Sequence, residues 1–87
     1  MIPRDWINLW RDEDHIVLEA VIELGGGPLL AMEVAGHCEI EAGRVWHALR
    51  RLVWRGVLQY GPALRNRARW ELSRETRRRL EEMEERA

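Results

Sequence analysis

Lysine and phenylalanine are absent from this chain of 87 residues, and cysteine, serine and threonine occur once each. A single cysteine, Cys38, excludes an intrachain disulfide and gives no sign of an oxidising compartment, so a small buried thiol is expected. With Ser73 as the one serine there is no nucleophile, base and orienter set, and no enzymatic activity is expected. His37, Cys38 and His47 are too few and too loosely spaced for a four-coordinate site, so neither metal nor cofactor is expected. No apolar run nears the ~20 residues of a membrane span. The opening Met1-Ile2-Pro3-Arg4-Asp5 also lacks the apolar block of a signal peptide, which makes a cytoplasmic location, with no membrane partner, the expectation.

What is present is a strong segregation of charge beneath a net charge of −1. Residues 1–43 hold two arginines against nine acidic residues, whereas residues 44–79 hold eleven arginines against two glutamates. A contiguous basic block of this kind is the electrostatic footprint of a phosphate-binding surface, which whole-chain charge conceals. The length permits one small domain with a modest core, a size that dimerisation would help.

Hydrophobic spacing predicts the elements. Trp6, Leu9 and Trp10 share one side of a short turn capped by Asp5, an N-terminal arm over residues 1–11. Residues 12–87 then form one domain. Ile16, Val17, Ala20, Val21 and Leu24 recur near the helical period over about 13–24, with Asp12, Glu13 and Asp14 suited to the start of the helix dipole. Gly25-Gly26-Gly27 ends this helix, and Pro28 is placed for the first turn of a second over about 28–36. A turn at Gly36-His37-Cys38 leads into a third helix, from about 39–42 to Arg55, closed by Gly56. Val57–Tyr60 and Arg67–Leu72 alternate like strands, forming a hairpin with a six- or seven-residue tip. Ser73 starts a last helix, polar except for Leu80 and Met83. The fold class is mainly α with a small β-hairpin: a three-helix core, a wing and a short C-terminal helix.

That order is the topology of a winged helix-turn-helix, and the third helix goes further. The run Ala42-Gly43-Arg44-Val45-Trp46-His47-Ala48-Leu49, followed by Arg50-Arg51-Leu52, resembles the PadR-like transcriptional regulators, whose third helix carries a Ser-Gly-Thr-Val-Tyr-Pro-Ala-Leu type run. Trp70-Glu71-Leu72-Ser73-Arg74-Glu75-Thr76-Arg77-Arg78-Arg79-Leu80 keeps the shape of the family's Tyr-x-Leu-Thr-x-x-Gly-x-x-x-Leu. The resemblance covers residues 13–83. It departs from the family at Trp46, His47 and Trp54 and in a shorter final helix, and the MarR type shares much of the same pattern. It implies a small regulator of double-stranded DNA, acting as a homodimer, of a size suited to a phage or mobile element. It also raises a weaker option, a small-molecule sensor.

On this reading the third helix enters the major groove with Ala42, Gly43, Arg44, Trp46, His47, Arg50 and Arg51. Arg65, Asn66, Arg67 and Arg69 then sit on a wing against the backbone or minor groove. Plain alternatives stand beside each: a solvated helix face, a charged tip that aids solubility, and i,i+4 pairs along Arg74–Arg79. Glu39 and Glu41 oppose DNA contact unless they act as caps. Trp70 is expected in the core. Trp6, Trp10, Trp54, Leu80 and Met83 are candidates for a dimer or partner interface, with internal packing as the alternative for the tryptophans. The rival to DNA binding is a protein-interaction module gripping its partner through exposed tryptophans.

Overall fold

The computed structural model describes residues 11–86, so Trp6 and Trp10 lie outside the described residues. The elements run α1 (Asp12–Glu23), β1 (Leu29–Leu30), α2 (Ala31–Cys38), α3 (Ala42–Trp54), β2 (Leu58–Tyr60), β3 (Arg69–Leu72) and α4 (Arg74–Arg86). Among the described residues no helix is long and apolar enough to cross a membrane.

α1 buries Val17, Ala20 and Val21 of the expected stripe but not its two ends. Ile16 and Leu24 are exposed, while Asp14, Leu18 and Val21 at i, i+4 and i+7 are buried together with Val17 and Ala20. The inward position of Asp14 rotates the buried face, and an ion pair with α3 makes that position tolerable. After α1 the backbone enters positive φ at Gly25, Gly26 and Gly27. Gly27 has a second constraint: a Cβ there would stand 2.4 Å from the carbonyl oxygen of Trp70. Only glycine lets the chain pass this close to β3.

The close passage explains an element the sequence did not predict. Leu29 and Leu30 form a strand, pairing antiparallel with Trp70 and Arg69, so Pro28 precedes a strand rather than opening a helix. α2 starts later, at Ala31, where the Glu33 carboxylate accepts from the Leu30 N–H at 2.8 Å. It also ends later: Gly36, His37 and Cys38 are helical, and the turn falls at Glu39, a left-handed residue with φ 59°. Cys38 is a free thiol, half-buried against the core.

The sheet order is β1-β3-β2, with β2 antiparallel to β3 and Leu58 opposite Leu72. Beyond β2 the hairpin is tighter than predicted. Leu64 and Arg67 exchange backbone hydrogen bonds of 3.0 and 2.9 Å, leaving Arg65 and Asn66 as a two-residue turn with φ of 50° and 66°. Two successive positive φ values match the twist of flanking strands.

The core lies between α1, α2, α3 and the sheet. Val45, Leu49 and Leu52, at i, i+4 and i+7 of α3, are wholly buried together with Ala48, and Trp70 is buried as expected. Each fully buried leucine contributes about 1.5–3 kcal/mol relative to an exposed one. α4 is fixed at its first turn. The Ser73 hydroxyl caps the Thr76 N–H at 3.2 Å, and the Val57 carbonyl accepts from both the Thr76 hydroxyl (2.8 Å) and the Ser73 N–H (3.1 Å). Arg77 adds a bond to the Gly26 carbonyl at 3.2 Å. Leu80, assigned above to an interface between molecules, packs half-buried against the domain's own core, because this anchored turn aims it inward. Met83, one turn on, is also half-buried.

Candidate nucleic-acid interface

α3 begins with a cap that decides the role of two residues. Glu41 is its N-cap, and the carboxylate accepts from the Gly43 N–H at 2.9 Å. A Cβ on residue 43 would meet that carboxylate oxygen at 2.8 Å, so the glycine accommodates the cap. Glu41 therefore has the structural task that reconciles a carboxylate with a basic helix. The Glu39 carboxylate sits on the left-handed residue that closes α2.

The arginines of α3 divide by direction. Arg51 turns toward α1, where Nε donates to both Asp14 oxygens at 3.0 and 3.2 Å and a terminal nitrogen donates to Oδ1 at 2.6 Å. Asp14 is fully buried and Arg51 half-buried. The hydrogen bond to Asp14 raises the Arg51 pKa above the ordinary arginine value, against a smaller opposing effect of burial. Arg51, expected on the DNA face, is thus committed to holding α3 against α1. Arg44 faces the same way and pairs with Glu13, though its own side chain stays largely exposed. Part of the basic block is therefore answered by the acidic start of α1.

The outer face of α3 carries Trp46, His47, Arg50 and Trp54. The Arg50 guanidinium carbon lies 4.9 Å from the Trp46 ring centroid and 5.8 Å from that of Trp54, a cation held over two rings four residues to either side. His47 meets Trp46 edge to face at 5.2 Å. Trp46 is 37% and Trp54 78% exposed.

An open groove of about 450 Å³ separates this helix from the wing. Ala42, Gly43 and Trp46 form one wall, Arg67 and Ala68 the other, and Leu30, Met32 and Trp70 lie along it. Arg67 crosses the groove mouth, with one nitrogen 3.5 Å from the Met32 sulfur. Arg65 and Asn66 are exposed at the wing tip. Arg69 is half-buried and donates to the Pro62 carbonyl at 2.6 Å, which stiffens the wing. The structure therefore brings Ala42, Gly43, Trp46 and Arg67 to one groove and puts His47, Arg50 and Trp54 on the adjoining helix face. Farther along, Arg79 pairs with Glu75 at 3.1 Å and Arg78 with Glu82 at 3.9 Å, the spacing expected for charges along α4.

Sequence reasoning missed two participants. Met32 is exposed beside the groove, and Leu30 lines it; both follow from the unpredicted β1. Asp14 was read only as a dipole partner, although a buried face placed over i, i+4 and i+7 would have included it. Among the described residues no group of three His, Cys, Asp or Glu side chains is placed to hold a metal ion.

No family model and no curated protein matches the chain. Solved structures do. The chain is similar to BpsR of Bordetella bronchiseptica, a structure concerned with regulation of its DNA binding by 6-hydroxynicotinic acid. That likeness has a TM-score of 0.69 and 25% identity over 94% of this chain and 60% of that one. Staphylococcus aureus MarR, in complex with salicylate and kanamycin, gives a TM-score of 0.65 at 12% identity over 93% and 58%. A candidate DNA-binding protein from Ralstonia eutropha gives 0.54 at 17% identity, covering 95% of this chain and 98% of its own. The chain spans about three-fifths of the BpsR and MarR chains it resembles. Helices α1 to α3, the three-stranded sheet and the tight hairpin, together with these likenesses, make the chain a winged helix-turn-helix domain.

Proposed function

We propose that this domain binds double-stranded DNA as a transcriptional regulator, with α3 in the major groove and the wing on the neighbouring backbone. The observation that carries the reading is the shared groove: α3 and the wing face the same side, with Arg67 on one wall and Arg50 on the adjoining helix face. Ala42, Gly43 and His47 approach base edges, Arg50 forks to a guanine edge or a phosphate, and Arg65, Asn66 and Arg67 track the backbone. Arg44 contributes from the flank, where its side chain remains exposed beside Glu13. The DNA binding ascribed to BpsR supports the reading, and the resemblance of the run from Ala42 to Leu52 to the PadR-like third helix is consistent with it. A homodimer built through α4 and the N-terminal arm would present two such faces to a two-fold operator.

A specific observation favours a second reading. Trp46 and Trp54 flank Arg50 on the exposed helix face, the composition of a protein-binding hot spot. Titrating long mixed-sequence duplex at several salt concentrations tests the first reading. Binding must weaken steeply as salt rises, in proportion to the phosphates contacted. No binding at low salt would leave the protein-interaction reading in its place.

A further inference from the structure

The outer face of α3 is short of hydrogen-bond acceptors. The 13 residues of the helix include no Asn, Gln, Asp, Glu, Ser, Thr or Lys. Arg44 and Arg51 are paired with Glu13 and Asp14, and the Glu41 carboxylate at the helix start accepts from the Gly43 N–H. Apart from the indoles, which only donate, the polar side chains left on this face are Arg50, also a donor only, and His47, which donates or accepts with its tautomer. Such a face suits base edges that present acceptors. It offers little to the amino groups of adenine and cytosine, which need an acceptor opposite them.

The groove between this helix and the wing adds an apolar surface. Ala42, Trp46, Leu30 and Met32 line it, and Met32 is 58% exposed, so it can be covered without disturbing the core. Arg67 stands at the mouth with one nitrogen 3.5 Å from the Met32 sulfur, which sets a cation beside the apolar wall. An occupant that fits presents an apolar group, an acceptor and a phosphate together. In the major groove thymine does so: its C5-methyl is apolar, its O4 accepts, and its backbone carries the phosphate.

We propose that this groove is a thymine-reading site. The C5-methyl rests against Met32, Ala42 and Trp46. His47, edge to face with Trp46 at 5.2 Å, donates to O4, which leaves Arg50 for an adjacent guanine, and Arg67 takes the backbone phosphate. The proposal rests on the DNA-binding reading and adds which base the surface prefers and which residues decide it.

The test starts with sequences selected by the full chain from a random duplex library. The selected duplexes are remade with uracil for thymine, which removes only the methyl groups, and titrated at one salt concentration. The parent should bind the uracil duplex about three- to tenfold more weakly, as expected when one or two methyl groups leave an apolar contact. Met32→Ala and Trp46→Ala, with melting curves to confirm that each folds, should bring the thymine-to-uracil ratio toward one. Equal affinity of the parent for both duplexes would overturn the proposal and leave the DNA reading standing. A preference that survives both variants would overturn it as well, because the methyl would then be read elsewhere or through duplex shape. Exchanging a contacted thymine–adenine pair for 5-methylcytosine–guanine keeps the methyl but replaces O4 by an amino group. Binding should weaken, and undiminished binding would remove the assignment to thymine. If the library yields no bound sequence, the DNA reading fails and this inference falls with it.

Discussion

Arg51 on α3 grips Asp14 on α1 through a fork of hydrogen bonds of 2.6 to 3.2 Å, joining the outer helix to the most buried carboxylate of the domain. The Arg51 side chain is 21% exposed and that of Asp14 not at all, so the partners are unequal when separated. Arg51→Met strands a buried carboxylate and should destabilise the domain by about 3–5 kcal/mol. Asp14→Leu should be milder, since Arg51 can swing to water. The double variant should recover most of the loss, because an apolar pair of similar volume often replaces a buried ion pair at little penalty. Urea unfolding of the four proteins measures the coupling.

The raised pKa of Arg51 sets a pH window for this contact. A group whose folded pKa exceeds its unfolded value contributes stability that is fully present below the unfolded pKa and lost as pH climbs through the folded one. For Arg51 both limits lie in strongly alkaline solution. Titration of Arg51 therefore adds no pH dependence to the parent's unfolding free energy across neutral pH, and the contribution of its charge should be lost only in strongly alkaline solution.

Arg50 and Arg67 are predicted to contact phosphate or a base edge without supporting the fold. Arg50→Ala and Arg67→Ala should each lower duplex affinity, and each lost phosphate contact should reduce the salt slope by about one unit. Thermal midpoints should stay near the parent's. Trp54→Ala should leave duplex affinity much less affected, and under the protein-interaction reading it should instead weaken binding to a protein partner.

Gly25 and Gly27 share positive φ but differ in surroundings, which separates backbone strain from steric collision. A Cβ at Gly25 meets nothing within 4 Å, whereas one at Gly27 meets the Trp70 carbonyl and the Glu71 Cα at 2.4 and 2.8 Å. Gly25→Ala should destabilise by about 1 kcal/mol, from strain alone. Gly27→Ala should lose at least about 3 kcal/mol, because β1 must also withdraw from β3. Hydrogen exchange should then quicken at the Leu72 N–H, which donates to the Gly26 carbonyl at 2.9 Å.

Much of the fold was legible because its signals are local and periodic. The α3 stripe of Val45, Leu49 and Leu52, the Ser73 cap and the inward Trp70 each follow from spacing or side-chain chemistry. β1 has two residues and no period to read, and its existence depends on a remote partner strand. The wing turn was obscured because Arg65 and Asn66 adopt the left-handed conformation without glycine. Among the candidate site residues, Arg50 and Arg67 lie at the expected surface, while Arg51 was misread: its helix position borders the core, and only the facing α1 turns it inward. The charge segregation held the clue, since the acidic half and the basic half meet across Glu13–Arg44 and Asp14–Arg51.

The first turn of α4, pinned to Val57 and Gly26, has the mechanics of a fulcrum. About 15 Å of helix extends past Thr76, while on the other side Val57 leads directly into β2 and the wing. A sideways load at the far end of α4 is transmitted through Thr76 and Ser73 to the base of the hairpin rather than dissipated in a linker. The hydrogen bonds of Thr76 and Ser73 to the Val57 carbonyl thus make the root of α4 and the root of the wing one joint.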